Sequence, residues 1–178
     1  MAKVGIFFGT DTGSTRKIAK QIQKQLGDEI ADKPKNINRV EVADFAAYDC
    51  LILGTPTLGQ GQLPGIECDC SEASWAEFLP NFAELDLAGK KVALFGLGDQ
   101  VNYTNEFVDG LGELYDYVAN CGPEMVGRWP LNGYEFAASN AVDGDAFVGL
   151  VIDKDNQASL TEERLSTWLE QIKSEMGL

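Results

Sequence analysis

Residues 10–15, Thr-Asp-Thr-Gly-Ser-Thr, place four hydroxyl groups and a glycine in six positions. They separate an apolar run, Lys3–Phe8, from a basic segment in which Ile18, Ile22 and Leu26 recur every fourth residue. That pattern is a strand giving way to an amphipathic helix. A helix N-terminus carries unpaired N–H groups and about half a positive charge, so it attracts phosphate. Thr10, Thr12, Ser14 and Thr15 add neutral donors, while Gly9 and Gly13 let the backbone curl closely around oxygen atoms. The nucleoside-triphosphate pattern is absent: Gly9 and Gly13 enclose three residues, and no Gly-Lys-Ser/Thr follows. The dinucleotide fingerprint fails as well, because Gly96-Leu-Gly98 runs into Asp99, Gln100 and Val101. A phosphatase loop would need a nucleophilic cysteine. What remains is a monophosphate held by neutral donors, with an ordinary strand-to-helix turn as the alternative on this loop alone.

The chain has no histidine, which removes Ser-His-Asp and Cys-His catalysis, His-ligated zinc and the usual near-neutral general base. Hard chemistry would have to come from a cofactor. Cys68-Asp-Cys70 has no second cysteine pair to complete a zinc tetrad. Cys50, Cys68, Cys70 and Cys121 therefore read as ordinary thiols, and no metal is expected. With no secretory pattern at the N-terminus and no long apolar run, a soluble protein of a reducing cytoplasm is expected. The net charge of −14 is uneven: residues 1–39 carry +4 and residues 40–178 carry −18. Such an acidic body repels nucleic acid and anionic membrane and favours basic protein partners.

Positioning the loop requires a scaffold. Strands are predicted at Lys3–Phe8, Ile37–Val42, Cys50–Gly54, Lys91–Gly96 and Phe147–Asp153, with shorter extended material near Glu124–Gly127. Helices are predicted at Ser14–Leu26, Ser74–Phe82, Asn105–Asn120 and Leu160–Met176, the last starting from the capping-box spacing Ser159–Glu162. Continuous apolar strands alternating with helices imply an α/β fold whose parallel sheet is covered on both faces. At 178 residues the chain is expected to form one domain over 1–178. In such a sheet, ligands sit beyond the carboxyl ends of the strands. Three loops rich in Gly, Thr and amides follow strands there: Gly9–Thr15, Thr55–Leu63 and Leu97–Tyr103.

Thr10-Asp-Thr-Gly-Ser-Thr15 resembles the phosphate loop of the flavodoxins, T/S-x-T-G-x-T. The likeness continues through Thr55-Pro-Thr57, Phe95-Gly-Leu-Gly-Asp-Gln100 with Tyr103, Asn132-Gly-Tyr-Glu-Phe136 and Phe147–Asp153. It spans the chain in order. Residues 128–146 look like the insertion that splits the fifth strand in long-chain flavodoxins. The Thr55–Gly65 loop and Cys68–Trp75 are most similar to flavodoxins of nitrogen-fixing bacteria. The resemblance implies a three-layer sandwich with a five-stranded parallel sheet in the order 2-1-3-4-5, and FMN as noncovalent cofactor.

Carried over residue by residue, the resemblance implies that Thr10, Thr12, Gly13, Ser14 and Thr15 hold the phosphate with their hydroxyls and amides, Asp11 supplying its main-chain N–H. Tyr103 would stack on the isoalloxazine, the backbone of Leu97, Gly98 and Asp99 would meet its pyrimidine end, and Asp153 would approach the ribityl side. Thr57, Leu58, Gly59 and Gly61 would line the other face. Leu58 stands where many flavodoxins carry tryptophan, losing roughly 0.5–1.5 kcal/mol of aromatic pairing. Glu106 replaces a frequent ribityl-contacting asparagine. Trp75, Trp129 and Trp168 read as packing residues.

The implied function is one-electron transport rather than enzyme catalysis. The Gly59–Gln60 peptide would turn toward flavin N5 in the semiquinone, inexpensively because glycine reaches positive φ. Each carboxylate about 10 Å from an anionic hydroquinone opposes it by roughly 1.7 kcal/mol at an effective dielectric near 20, or about 70 mV for one electron. Glu67, Asp69, Glu72, Asp99 and Glu106 are the candidates. Cycling between semiquinone and hydroquinone at low potential is therefore expected. A flavin reductase or oxidoreductase would be the donor, nitrogenase iron protein the acceptor, and the carrier a monomer. An FMN-dependent NAD(P)H quinone reductase is the alternative on this fold. A signalling receiver would want an aspartate ending the third strand, and Cys50–Thr55 offers none.

Overall fold

A computed structural model describes residues 3–178. The apolar run at the N-terminus forms β1 (Val4–Phe8), buried along its whole length. It lies parallel to β3 (Cys50–Pro56), Val4 opposite Cys50 and Phe8 opposite Gly54. β3 in turn pairs in parallel with β4 (Lys91–Leu97) over its full length. β2 (Lys35–Asn36) lies outside β1 and β5 (Glu124–Val126) outside β4, giving the expected order 2-1-3-4-5.

The fifth position is shared. β5 pairs with Lys91–Ala93, and β9 (Leu150–Ile152) pairs with Phe95–Leu97 farther along the same strand. Between them the chain leaves the main sheet and builds a small antiparallel sheet from β6 (Trp129–Pro130), β7 (Val142–Asp143) and β8 (Ala146–Phe147), in the order β6-β8-β7. The insertion thus splits the last strand, and the single strand expected over Phe147–Asp153 is corrected: Phe147 pairs with Trp129 and Val142, not with the main sheet. Gly149 makes the break possible. A Cβ there would stand 2.3 Å from the Leu94 carbonyl oxygen.

Right-handed crossovers place helices on both faces. α1 (Ser14–Leu26) buries Thr15, Ile18, Ala19, Ile22 and Leu26 and packs beside α5 (Thr161–Met176). α3 (Trp75–Phe78) and α4 (Asp109–Ala119) serve the side reached by the crossovers running the other way. No helix among the described residues is long and apolar enough to cross a membrane.

Several boundaries differ from expectation, each for a local reason. The strand predicted at Ile37–Val42 is displaced. The Asn36 carboxamide oxygen accepts the Asn38 N–H at 3.2 Å and winds Ile37–Arg39 into a 3-10 turn. The extended stretch is then closed by α2 (Val42–Phe45), where the Glu41 N–H donates to the Asp44 carboxylate at 2.8 Å. The helix predicted at Ser74–Phe82 keeps α-geometry only to Phe78, because Pro80 has no N–H for the next turn, and Leu79–Glu84 is a 3-10 helix. Residues 105–108 form turns rather than helix, with Val108 at φ 50°. α5 starts at Thr161 with no side-chain cap, so the Ser159–Glu162 box does not form. The 3-10 turn Ala158–Leu160 leads into it already wound.

Candidate functional site

The three loops predicted to converge follow β1, β3 and β4, which are adjacent and parallel, so their carboxyl ends share one edge. Phe8 lies opposite Gly54 and Gly54 opposite Phe95, and the Thr57 N–H donates to the Leu97 carbonyl at 3.1 Å.

Loop 10–15 is an open donor cradle. Gly13 caps α1 at φ 94°, ψ 0°, with no side-chain capping bond and open space where a Cβ would project. Its N–H donates to Thr10 Oγ1 at 3.0 Å, which folds the loop back on itself. The N–H groups of Thr10, Asp11, Thr12, Ser14, Thr15 and Arg16 find no acceptor among the described residues. Thr12 Oγ1 and Ser14 Oγ lie 3.5 Å apart on the exposed side. No acidic residue occupies the first turn of α1. The floor is Trp75, whose indole N–H donates to the Gly54 carbonyl at 2.8 Å. A Cβ at Gly9 would sit 2.4 Å from that indole and 2.5 Å from Ser74 Oγ, itself buried and without a partner among the described residues. Such a set of neutral donors fits a phosphate group, whose oxygens accept and need no counter-cation when the helix end supplies the field.

The second loop is a tight turn. Leu58 and Gln62 exchange both backbone hydrogen bonds at 2.8 Å, leaving Gly59, Gln60 and Gly61 at the tip. Gly59 and Gly61 have φ of 53° and 89°, a region that disfavours side chains. The turn leans on the start of α4: a Cβ at Gly61 would meet Asp109 at 3.0 Å and Glu106 at 3.3 Å. Thr57 Oγ1 accepts the Gly110 N–H at 3.0 Å, so that hydroxyl anchors the turn. Leu58 is half-buried.

The third loop is cross-tied. Asp99 Oδ1 accepts the N–H groups of Val101 and Asn102 at 3.0 and 2.9 Å and the Asn156 carboxamide at 2.8 Å, while Oδ2 takes the Asn102 carboxamide. Burial works against ionisation of Asp99, yet these bonds outweigh it and hold the carboxyl below its ordinary range. Asp153, 1% exposed at the end of β9, accepts the Gln100 N–H at 3.1 Å and its carboxamide at 2.7 Å, together with the N–H groups of Asp155 and Asn156. Gln100 Oε1 accepts the Glu135 N–H at 2.6 Å, tying the loop to the insertion. The Asp99 N–H stays free of acceptors among the described residues, and Tyr103 presents a ring 47% exposed.

The structure therefore brings Thr10–Thr15, Thr57–Gly61 and Leu97–Tyr103 to one edge. Asp153 stands behind that edge, its carboxylate spent on protein donors. Glu106 borders the glycine turn. Sequence reasoning missed Gln100 and Asn156 as cross-ties and Ser74 as a buried neighbour of loop 10–15. The spacing Asp153-Lys-Asp-Asn156 carries the signal of a carboxylate capping its own turn. Ser74-x-x-Glu77 shows part of a capping box, with the Ser74 N–H donating to Glu77 at 2.9 Å. Of the tryptophans, Trp75 and Trp168 are wholly buried and Trp129 nearly so.

Comparison with known proteins agrees with this geometry. The family model described as flavodoxin matches residues 6–168. A flavodoxin of Klebsiella pneumoniae is 60% identical over 173 residues, covering 97% of this chain and 98% of the relative. A flavodoxin of Enterobacter agglomerans is 52% identical over 174 residues, with 97% and 98% covered. The crystal structure of Fusobacterium nucleatum flavodoxin bound to flavin mononucleotide superposes with a TM-score of 0.87 at 31% identity, covering 99% of both chains.

Proposed function

The chain belongs to the flavodoxin family, and from that premise we propose that it binds FMN at the edge formed by loops 10–15, 57–63 and 97–103 and carries single electrons between proteins. One observation carries the reading: six backbone N–H groups of residues 10–16 have no acceptor among the described residues, at a helix whose first turn holds no acidic residue. Bound FMN supplies the redox chemistry, accepting and releasing electrons one at a time. The protein's residues do the rest. Thr10, Thr12, Ser14 and Thr15 with the main chain of Asp11 hold the phosphate, and Gly13, its N–H on Thr10 Oγ1, shapes the loop around it. The exposed Tyr103 ring and the half-buried Leu58 offer the two faces against which a flat ring packs. The free Asp99 N–H offers a donor beside Leu97 and Gly98. The Gly59–Gln60 peptide lies at a turn tip where glycine tolerates a change of ψ. Asp153 holds Gln100, and through it the Tyr103 loop.

The acidic body supports a low-potential carrier, since Glu67, Asp69, Glu72, Asp99 and Glu106 oppose any negative charge gained at this edge. Small, transient contacts suit such a role. The donor in this reading is a reductase with a basic face, the acceptor nitrogenase iron protein, and the carrier a cytoplasmic monomer.

The test is anaerobic dithionite titration of the FMN-loaded protein with visible spectra. Two resolved one-electron steps are expected. Bleaching in a single two-electron step would favour a quinone reductase, and failure to take up FMN would overturn the site. Replacing several of the five carboxylates by amides should raise the lower potential. Gly59→Ala, whose Cβ would meet Gln62 Oε1 at 2.8 Å, should narrow the gap between the two steps.

A further inference from the structure

Four cations converge on a concavity that the electron-carrier reading does not use. Arg16 and Lys20 project from α1, Lys35 from the edge strand β2, and Arg39 from the 3-10 turn that follows. Together with Phe8 and Asn36 they line a pocket of about 370 Å³. The Arg16 guanidinium lies over the Phe8 ring, 5.7 Å from its centroid. No carboxylate lines the pocket. Among the described residues, none of the three ion pairs involves these four side chains, and none of the four donates a hydrogen bond to protein. Acids stand beside the pocket without lining it: the Glu72 carboxylate accepts the Asn38 carboxamide at 3.1 Å next to Arg39, and Lys35 also borders a neighbouring depression holding Asp28 and Asp32, where the Asp32 carboxylate already accepts the Tyr48 hydroxyl at 2.7 Å.

A chain with net charge −14 gathers here four cations, unpaired among the described residues, from two separate stretches, residues 16–20 and 35–39. A solvated basic helix face would spread its charges outward. These instead rim a depression whose floor is an aromatic ring, so their fields add at one point within a Debye length of about 10 Å. The guanidinium groups of Arg16 and Arg39 suit bidentate contact with phosphate oxygens, and lysines serve as mobile point charges beside them.

The geometry points to a second anion site, between α1 and β2, that takes a compact anion bearing adjacent phosphate groups. It is separate from loop 10–15: that loop offers neutral amides and hydroxyls for one phosphate, whereas this pocket offers four full charges and so selects for a higher anionic charge. Phe8 ends the strand before the loop and Arg16 follows it directly, so the two sites share a wall.

Tripolyphosphate titrated calorimetrically into the FMN-loaded protein at low salt should show one saturable site. Lys35→Gln with Arg39→Gln should weaken it at least tenfold. Lys24→Gln with Lys154→Gln removes the same charge from exposed positions outside the pocket and should leave affinity within twofold. Equal loss in both double variants would reduce the effect to general charge screening and overturn the site. So would saturable binding of polyglutamate with none of tripolyphosphate, which would assign the face to a carboxylate-bearing protein. Dependence on Lys35 and Arg39 identifies this pocket whether or not FMN loads, so failure of the FMN reading and failure of this one are distinguishable.

Discussion

Loop 10–15 and loop 98–103 follow β1 and β4, with β3 between them, on one sheet edge, yet they are built on opposite plans. The first has one backbone donor bonded within it, Gly13 N–H to Thr10, and a long hydroxyl contact between Thr12 and Ser14, and leaves six N–H groups without acceptors among the described residues. The second satisfies nearly every polar group it has: the N–H groups of Gly98, Gln100, Val101, Asn102 and Tyr103 all find acceptors within the protein. An open cradle is completed by what it binds, while a closed loop is set before anything arrives. The difference separates affinity from orientation. The phosphate end supplies unmet donors that an anion satisfies, and the ring end supplies a preorganised frame that loses little freedom on binding.

The largest break in that contrast should come from the ligand. If the open donors act on phosphate, riboflavin should bind at least about a hundredfold more weakly than FMN, roughly 3 kcal/mol, measured by fluorescence quenching. Comparable affinities would mean that loop 10–15 contributes nothing.

Next in size is Asp153→Ala. It leaves the buried Gln100 donors unpaired, takes the acceptor from the exposed Asp155 and Asn156 N–H groups, and should cost about 1–3 kcal/mol in urea unfolding of the FMN-free protein. It should also weaken FMN and riboflavin by the same factor, since it acts at the ring end. Loss confined to FMN would contradict the division of labour.

Gly13→Ala should be milder. Its Cβ enters open space, so the penalty is the left-handed backbone alone, about 1–2 kcal/mol. The loss should appear in FMN binding and barely in riboflavin binding.

The smallest effect is in pH, and here three carboxyls act in two opposite senses. Asp109 and Glu113 are pushed up, chiefly by burial, partly countered by hydrogen bonds from the backbone of Asn140 and Leu63 respectively. A carboxyl raised in the fold disfavours the folded state where it is ionised, so stability should rise as pH falls from neutrality toward their raised values. Asp99 is held low, so its contribution is complete above its ordinary value of 3.8 and is lost as pH falls below that toward its folded value. Urea midpoints should therefore pass through a maximum on the acid side of neutrality. Asp109→Asn with Glu113→Gln should flatten the rise, and Asp99→Asn should soften the fall.

Much of this was legible in residue order. Val4–Phe8, Cys50–Leu53 and Val92–Leu94 are apolar without alternation, which only a strand buried on both faces requires. Loop 10–15 was legible because its chemistry is local: hydroxyls, glycine and helix end are contiguous. The ring end was less so. The Asp153 carboxylate accepts from Gln100, 53 positions away in the chain. Such pairing follows from β9 lying beside β4, which no local pattern announces. The edge strand expected over Ile37–Val42 is displaced because the Asn36 carboxamide, just ahead of that window, accepts the Asn38 N–H and winds its first residues into a 3-10 turn.

The sequence by itself determined the family, the sheet's buried strands and the phosphate-type loop, because each rests on neighbours in the chain and on short-range sterics. Tertiary structure alone decided where the fifth strand divides, how Asp99 and Asp153 lock the ring-side loop, and that Arg16, Lys20, Lys35 and Arg39 face one pocket. Those outcomes depend on which segments the crossovers bring together, and burial and electrostatics act through space rather than along the chain.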